Sequence, residues 1–269
     1  MEIKYHQQGS LQIAYQDEGE GEAIVFLHGL GANSESWDFQ AEYFSDHYRV
    51  IRPEFRGFGR SSKPHDRNAY SVKIFAEDIV FLLKHLGVAR ATIIGTSMGG
   101  YMAQTIALEY PALVEKLVLC HTACSRRVPE KIMRERLAAL EVMDMAAYAK
   151  VAIAHAVGPD TEESVKQRIV DMIAANDHTA YLIIFGEGGL DFDLCSRLGE
   201  LDVPSWVISS ELDQVVPFAR SQELHERIAG SQFFNIPDTG HLSYLENPVI
   251  FNQYLEMILN DPVSDLLSD

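Results

Sequence analysis

Short apolar runs alternate with stretches of helical periodicity along most of the chain, which is the βα pattern of a mostly parallel sheet. Runs at 11–16, 23–27, 48–51, 91–94 and 116–119 predict strands, and two more follow at 205–209 and 232–236. A run such as Ile24-Val25-Phe26-Leu27 is apolar without alternation, as expected of a strand covered on both faces. Between 119 and 205 the strand signal stops. Ile132, Met133, Leu137, Leu140 and Met143 recur there at spacings of three and four, the helical period. Gly158-Pro159-Asp160 breaks that pattern, and Thr161-Glu162-Glu163-Ser164 restarts it as a helix N-terminus. A last helix starts near Asn247-Pro248, with proline in its favoured first turn. The pattern predicts an α/β core domain from 1–124 and 196–269, with 125–195 standing on the sheet as a helical cap.

Composition narrows the possibilities. A length of 269 residues allows one large α/β domain or two small ones. Hydrophobic content of 47% with 23% charged residues excludes a disordered, fibrous or collagen-like chain. Thirty-nine acidic residues against twenty-two basic ones give −17, so the footprint a nucleic acid or an anionic membrane surface demands is missing. Neither partner is expected, and the sequence leaves a homodimer open. No apolar run approaches the ~20 residues of a membrane span. Met1 to His6 lack the basic and apolar regions of a signal peptide. Cys120, Cys124 and Cys195 are odd in number and form no C-x-x-C pair, so neither a disulfide framework nor a structural zinc site is expected. Cys120, His121 and Cys124 suit no common metal geometry either. The expectation is a cytoplasmic, reducing location with no metal or cofactor.

The chemistry-bearing residues lie in the loops after predicted strands. Gly95-Thr96-Ser97-Met98-Gly99 follows the strand at 91–94 and opens an apolar helix. That context turns a weak G-x-S-x-G match into a candidate nucleophile elbow, in which small residues tolerate a strained strand-to-helix turn. A serine hydroxyl needs a base to remove its proton, and in this arrangement the chain order is serine, acid, histidine. His241, directly after the strand at 232–236, is the candidate base. The loop after the preceding strand offers Glu211 and Asp213 as candidate acids. His28-Gly29-Leu30-Gly31 follows the strand at 23–27. There the Leu30 amide, together with the amide of Met98, can face a developing oxyanion. His28 itself is read as a brace for its turn.

With these pieces assembled, the chain resembles the α/β-hydrolase superfamily over nearly its whole length. The matching motifs are His28-Gly29-Leu30-Gly31, Arg56-Gly57-Phe58-Gly59-Arg60-Ser61, Gly95-Thr96-Ser97-Met98-Gly99-Gly100, Asp213-Gln214-Val215-Val216-Pro217 and Gly240-His241. The resemblance implies the α/β-hydrolase fold, and it puts the acid on Asp213. Glu54 stands where the family usually has aspartate, a position that supports the loop. Ser97 sets the chain apart from the epoxide hydrolases and haloalkane dehalogenases, which carry aspartate at that position. Leu242 follows the histidine where many C–C bond hydrolases carry tryptophan. The stretch 240–248 is similar to the 3-oxoadipate enol-lactonases and small carboxylesterases. The implied activity is hydrolysis of an ester or lactone of a small molecule through a Ser97–His241–Asp213 triad. C–C bond hydrolysis, perhydrolysis and a receptor role with a retained triad are the alternatives.

Arg126 and Arg127, where the chain leaves the sheet for the cap, are candidates for gripping a substrate carboxylate, since a guanidinium matches it in a bidentate way. Two solvated loop arginines are the plainer reading. Met133, Met143, Met145 and Met172 are candidates for an adaptable pocket lining or, more simply, for packing between cap helices.

Overall fold

The computed structural model describes residues 2–186 and 188–262. Among the described residues one eight-stranded sheet runs through the core. Its strands are β1 Lys4–Gln8, β2 Leu11–Glu18, β3 Ala23–Leu27, β4 Arg49–Pro53, β5 Ala91–Thr96, β6 Val114–Cys120, β7 Ser205–Ser210 and β8 Gln232–Ile236. The spatial order is β1-β2-β4-β3-β5-β6-β7-β8. β2 runs antiparallel to β1 and β4, and every other pairing is parallel. The flanking helices are α1 Asp38–Phe44, α2 Val72–His85, α3 Met98–Glu109, α8 Phe218–Arg227, α9 Ser243–Glu246 and α10 Pro248–Asn260. This is the mostly parallel, helix-flanked sheet expected of an α/β hydrolase.

Each predicted strand lies within a few residues of an observed one, the usual scatter of element ends. β1 was not predicted. Lys4-Tyr5-His6-Gln7-Gln8 is an edge strand with exposed and half-buried positions alternating, so it carries too little apolar signal to be seen. At the sheet's centre all six residues of β5 are buried. β3 and β5 run in register from Ala23 opposite Ala91 to Leu27 opposite Gly95. Their carboxyl ends therefore finish side by side, where ligand crevices of open α/β sheets form.

Between β6 and β7 the chain carries α4 Glu130–Val142, α5 Met145–Ile153, α6 Glu163–Ala174 and α7 His178–Gly186. The apolar spacing in 132–143 became α4. The restart signal at Thr161 lies two residues ahead of α6, because the Thr161 hydroxyl bonds outward to Glu246 (2.8 Å) and to the Gly158 carbonyl (2.9 Å).

The cysteines correct the sequence reading. Cys124 and Cys195 form a disulfide, their Cα atoms 4.8 Å apart across 71 positions of chain. Spacing missed it because the two segments meet only in three dimensions. The Leu194 amide donates to the Cys124 carbonyl (2.8 Å) and the Arg126 amide to the Phe192 carbonyl (2.9 Å), with Ser125 bridged to Asp193. The two segments that lead into and out of α4–α7 are thus paired and cross-linked. Cys120 is a buried free thiol, and burial pushes its pKa up. The bridge removes the ground on which a reducing location was expected. Among the described residues no helix is long and apolar enough to cross a membrane.

Candidate active site

Ser97 sits between the end of β5 and the first turn of α3 with φ 51° and ψ −117°. A non-glycine residue in such a conformation costs about 1–3 kcal/mol and persists only where its surroundings enforce it. Here the Ser97 amide donates to the Cys120 carbonyl (2.9 Å), while the Gly100 amide (3.0 Å) and Thr122 hydroxyl (2.8 Å) donate to the Ser97 carbonyl. The flanking glycines are required by close approach. A Cβ on Gly95 would lie 2.4 Å from the Gly99 carbonyl oxygen, and one on Gly99 would lie 2.3 Å from that of Leu27. The α3 N-terminus behind Ser97 adds a partial positive charge.

His241 Nδ1 lies 2.8 Å from Asp213 Oδ2, and both side chains are buried. The other carboxylate oxygen of Asp213 accepts from the Val215 and Val216 amides, each at 2.8 Å. Burial pulls the Asp213 pKa upward, but the neighbouring His241 and His121 and the Val216 amide outweigh it, so the carboxyl sits below its ordinary value. Glu211 is exposed and accepts instead from the Asp238 amide (3.2 Å). Of the two candidate acids, Asp213 is the one that meets His241.

Among the described residues neither the Leu30 nor the Met98 amide has a protein acceptor. Met98 is buried, and unpaired buried amides are rare in folded proteins. Leu30 and Ser97 both line one cavity of about 520 Å³. Its floor carries Ser97, His241, Gly29 and Leu30, and its roof comes from α4–α7. The loop is braced as expected of His28. The buried ring contacts the Gly29 carbonyl through Nδ1 (2.8 Å) and accepts from the Phe55 amide at Nε2 (3.0 Å). Burial lowers its pKa to about 4, so it stays neutral. Glu54 is buried beside this loop, accepting from the Ser34 hydroxyl (2.7 Å), the Arg60 guanidinium (2.7 Å) and the Arg60 amide.

Two residues at the site escaped the sequence reading. Glu246 accepts from the amides of Gly240 (3.0 Å) and Leu242 (3.0 Å), on either side of His241. It also accepts from the Gly158 amide (2.7 Å) and the Thr161 hydroxyl (2.8 Å), and the His241 amide donates to the Ala156 carbonyl (2.8 Å). The histidine loop is therefore tied to the segment between α5 and α6. The capacity of a carboxylate at 246 is visible in the sequence, but its four donors come from two chain segments, one of them some 85 residues away. The second is His121, buried with φ 47° and packed edge-on to His241 at 5.9 Å between ring centres. Its Nε2 contacts the hydroxyls of Ser210 (3.0 Å) and Ser243 (2.8 Å). Burial pushes its pKa down to about 3, with His241 adding to the effect and Asp213 opposing it.

The expectation for Arg126 and Arg127 is corrected: neither lines the cavity. Arg126 donates to the Phe185 carbonyl (2.7 Å) and lies over the Phe185 ring (5.0 Å). Arg127 faces Asp193 (3.9 Å) and Glu223 (3.8 Å) beside the disulfide. Arg126 is thus taken up by α7 and Arg127 by the carboxylates beside the disulfide, an arrangement that spacing alone does not reveal. Of the four methionines, Met172 lines the cavity, Met145 is buried in the core, and Met133 and Met143 pack against it.

The family model described as alpha/beta hydrolase fold matches residues 22–248, and the chain belongs to that family. A curated relative, 3-oxoadipate enol-lactonase 2 of Acinetobacter baylyi, is 28% identical over 242 residues, 88% of each chain. A putative 2-succinyl-6-hydroxy-2,4-cyclohexadiene-1-carboxylate synthase of Bacillus subtilis is 29% identical over 262 residues, 93% of this chain and 95% of its own. Among solved structures, the enol-lactonase from Burkholderia xenovorans superposes with a TM-score of 0.89 at 26% identity, covering 96% of this chain and all of the other (100%).

Proposed function

We propose that the protein is a carboxylic ester hydrolase that cleaves an ester or lactone of a small molecule through an acyl-enzyme. The observation that carries this reading is the convergence at one cavity of a backbone-strained serine, a histidine bonded to a buried carboxylate, and the Leu30 amide, which has no protein acceptor among the described residues. The enol-lactonase relatives support the ester or lactone class.

In this mechanism Ser97 Oγ attacks the carbonyl carbon as His241 Nε2 takes its proton. The carbonyl π electrons move onto oxygen, and the Leu30 and Met98 amides hold the resulting oxyanion, each donor being worth roughly 3 kcal/mol of barrier. Asp213 fixes the His241 tautomer from the Nδ1 side and stabilises the imidazolium. When the tetrahedral intermediate collapses, the alcohol leaves with the proton from His241. In a lactone that alcohol or enol stays tethered to the acyl group. Water then enters, gives a proton to His241, and adds to the acyl carbon; collapse returns the proton to Ser97 and frees the acid.

The test is pre-steady-state and steady-state hydrolysis of 4-nitrophenyl esters from C2 to C12, with Ser97→Ala as the blank. A burst that requires Ser97 is expected, with Asp213→Asn lowering kcat about 10⁴-fold. Release that survives Ser97→Ala unchanged refutes the mechanism. Activity that is silent to Asp213→Asn but lost in Glu211→Gln refutes the choice of acid. Ligand binding without turnover favours the receptor reading.

A further inference from the structure

The cap wall of the cavity carries one cation that the hydrolytic mechanism does not use. Arg136, half-buried on α4, lines the cavity, and among the described residues no carboxylate pairs with it. Its surroundings are largely apolar: Ala139, Val151, Ile169, Ile173 and Phe185 line the same space. The neighbouring carboxylate, Glu135, also borders this cavity, but its side chain is 64% exposed and faces Lys131 one turn away (4.0 Å). On the same helix Arg134 pairs with Glu130 at 3.7 Å. Arg126, close enough for the two guanidiniums to repel each other, is already committed to the Phe185 carbonyl and ring.

Beside Arg136 stand Tyr148 and Tyr181, both buried and both lining the cavity. Their rings meet edge to face, 5.7 Å between centres. Tyr181 also packs against Gly31, next to Leu30: its Cε2 would lie 3.2 Å from a Cβ there. The cavity thus joins the oxyanion loop on one side to a guanidinium on the other that has no carboxylate partner among the described residues. A cation in a largely apolar wall becomes more favourable when an anion meets it. On a chain of net charge −17, an anionic ligand needs such a local positive feature to be held.

We infer that Arg136, beside Tyr148 and Tyr181, forms an anion subsite in the cap wall, and that the substrate is an ester or lactone carrying a carboxylate remote from the reacting carbonyl. This rests on the hydrolase reading of the same cavity. The guanidinium binds the carboxylate through two parallel N–H donors. The remote carboxylate then orients the ester over Ser97.

Mono-(4-nitrophenyl) glutarate and its methyl ester differ at the remote end alone, so the ratio of their kcat/KM values reads the subsite. In Arg136→Met the acid-to-ester ratio is expected to fall ~30-fold, mainly through KM, as for loss of one partner of a partly desolvated charge pair. Arg136→Lys, which keeps the charge but not the fork, is expected to retain a ratio above that of Arg136→Met. A ratio unchanged in Arg136→Met, or a Lys variant no better than Met, overturns the subsite. Calorimetric titration of Ser97→Ala with glutarate separates the two readings. Arg136-dependent glutarate binding without Ser97-dependent hydrolysis of either ester sustains the subsite and refutes the hydrolase. Hydrolysis of both esters with no Arg136 dependence does the reverse.

Discussion

Replacing Glu246 with glutamine preserves shape and removes the charge that holds the His241 loop. The carboxylate accepts four bonds: Oε2 takes the Gly158 and Gly240 amides and the Thr161 hydroxyl, and Oε1 takes the Leu242 amide. Glutamine can present its oxygen to the three donors on one side, but its NH₂ then faces the N–H of Leu242. One bond is lost against a donor–donor contact, and three fall from charge-assisted to neutral. Bonds to charged groups contribute about 1.5–3 kcal/mol each when buried, but Glu246 is half-buried and the four are not additive. A total destabilisation of roughly 2–3 kcal/mol follows, measured as a shift in the urea midpoint at constant slope. The functional consequence is larger than the structural one. Gly240 and Leu242 bracket His241, and misplacing a catalytic group by about 1 Å can cost 10²-fold. The expected result is a fall in kcat on 4-nitrophenyl butyrate of ten- to a hundredfold, with KM changing less. A variant that loses the stability but keeps its kcat would show that Glu246 fastens the cap segment without positioning His241. One that loses neither refutes the clamp altogether.

Two further outcomes follow from the buried groups. His28 and His121 stay neutral in the fold, with pKa values lowered to about 4 and about 3 from 6.5. Below pH 6.5 the unfolded chain binds protons that the native state refuses, so stability is highest above that pH and declines as pH falls toward 4. The slope is about 1.4 kcal/mol per pH unit for each histidine at most. Urea denaturation at pH 7.5, 5.5 and 4.5 measures it, with His121→Gln expected to flatten the decline; a pH-independent midpoint refutes it. The Cys124–Cys195 bridge is worth up to about 4 kcal/mol for a loop of this length, so Cys195→Ser should lower the urea midpoint and cap stability first. Denatured air-oxidised protein should show one titratable thiol, Cys120, and all three after dithiothreitol. Three thiols without reductant would refute the bridge.

Much of this molecule is legible from local sequence, because its strongest signals are local. Buried parallel strands announce themselves as short apolar runs, and the G-x-S-x-G turn can be built only with glycines at 95 and 99, where any Cβ would strike backbone. Chain order and the loops after β7 and β8 were enough to nominate Asp213 and His241. The choice between Asp213 and Glu211 was not local, since both lie in one loop; it turns on which carboxylate reaches the His241 ring, and that depends on the packing of two strands. β1 was invisible because an edge strand buries little. The disulfide, the diversion of Arg126 and Arg127 away from the cavity, and the Glu246 clamp all join residues far apart in the chain. Pairing across such distances is set by how helices settle on the sheet. Sequence determines which residues are able to pair, and only the tertiary structure decides which of them meet.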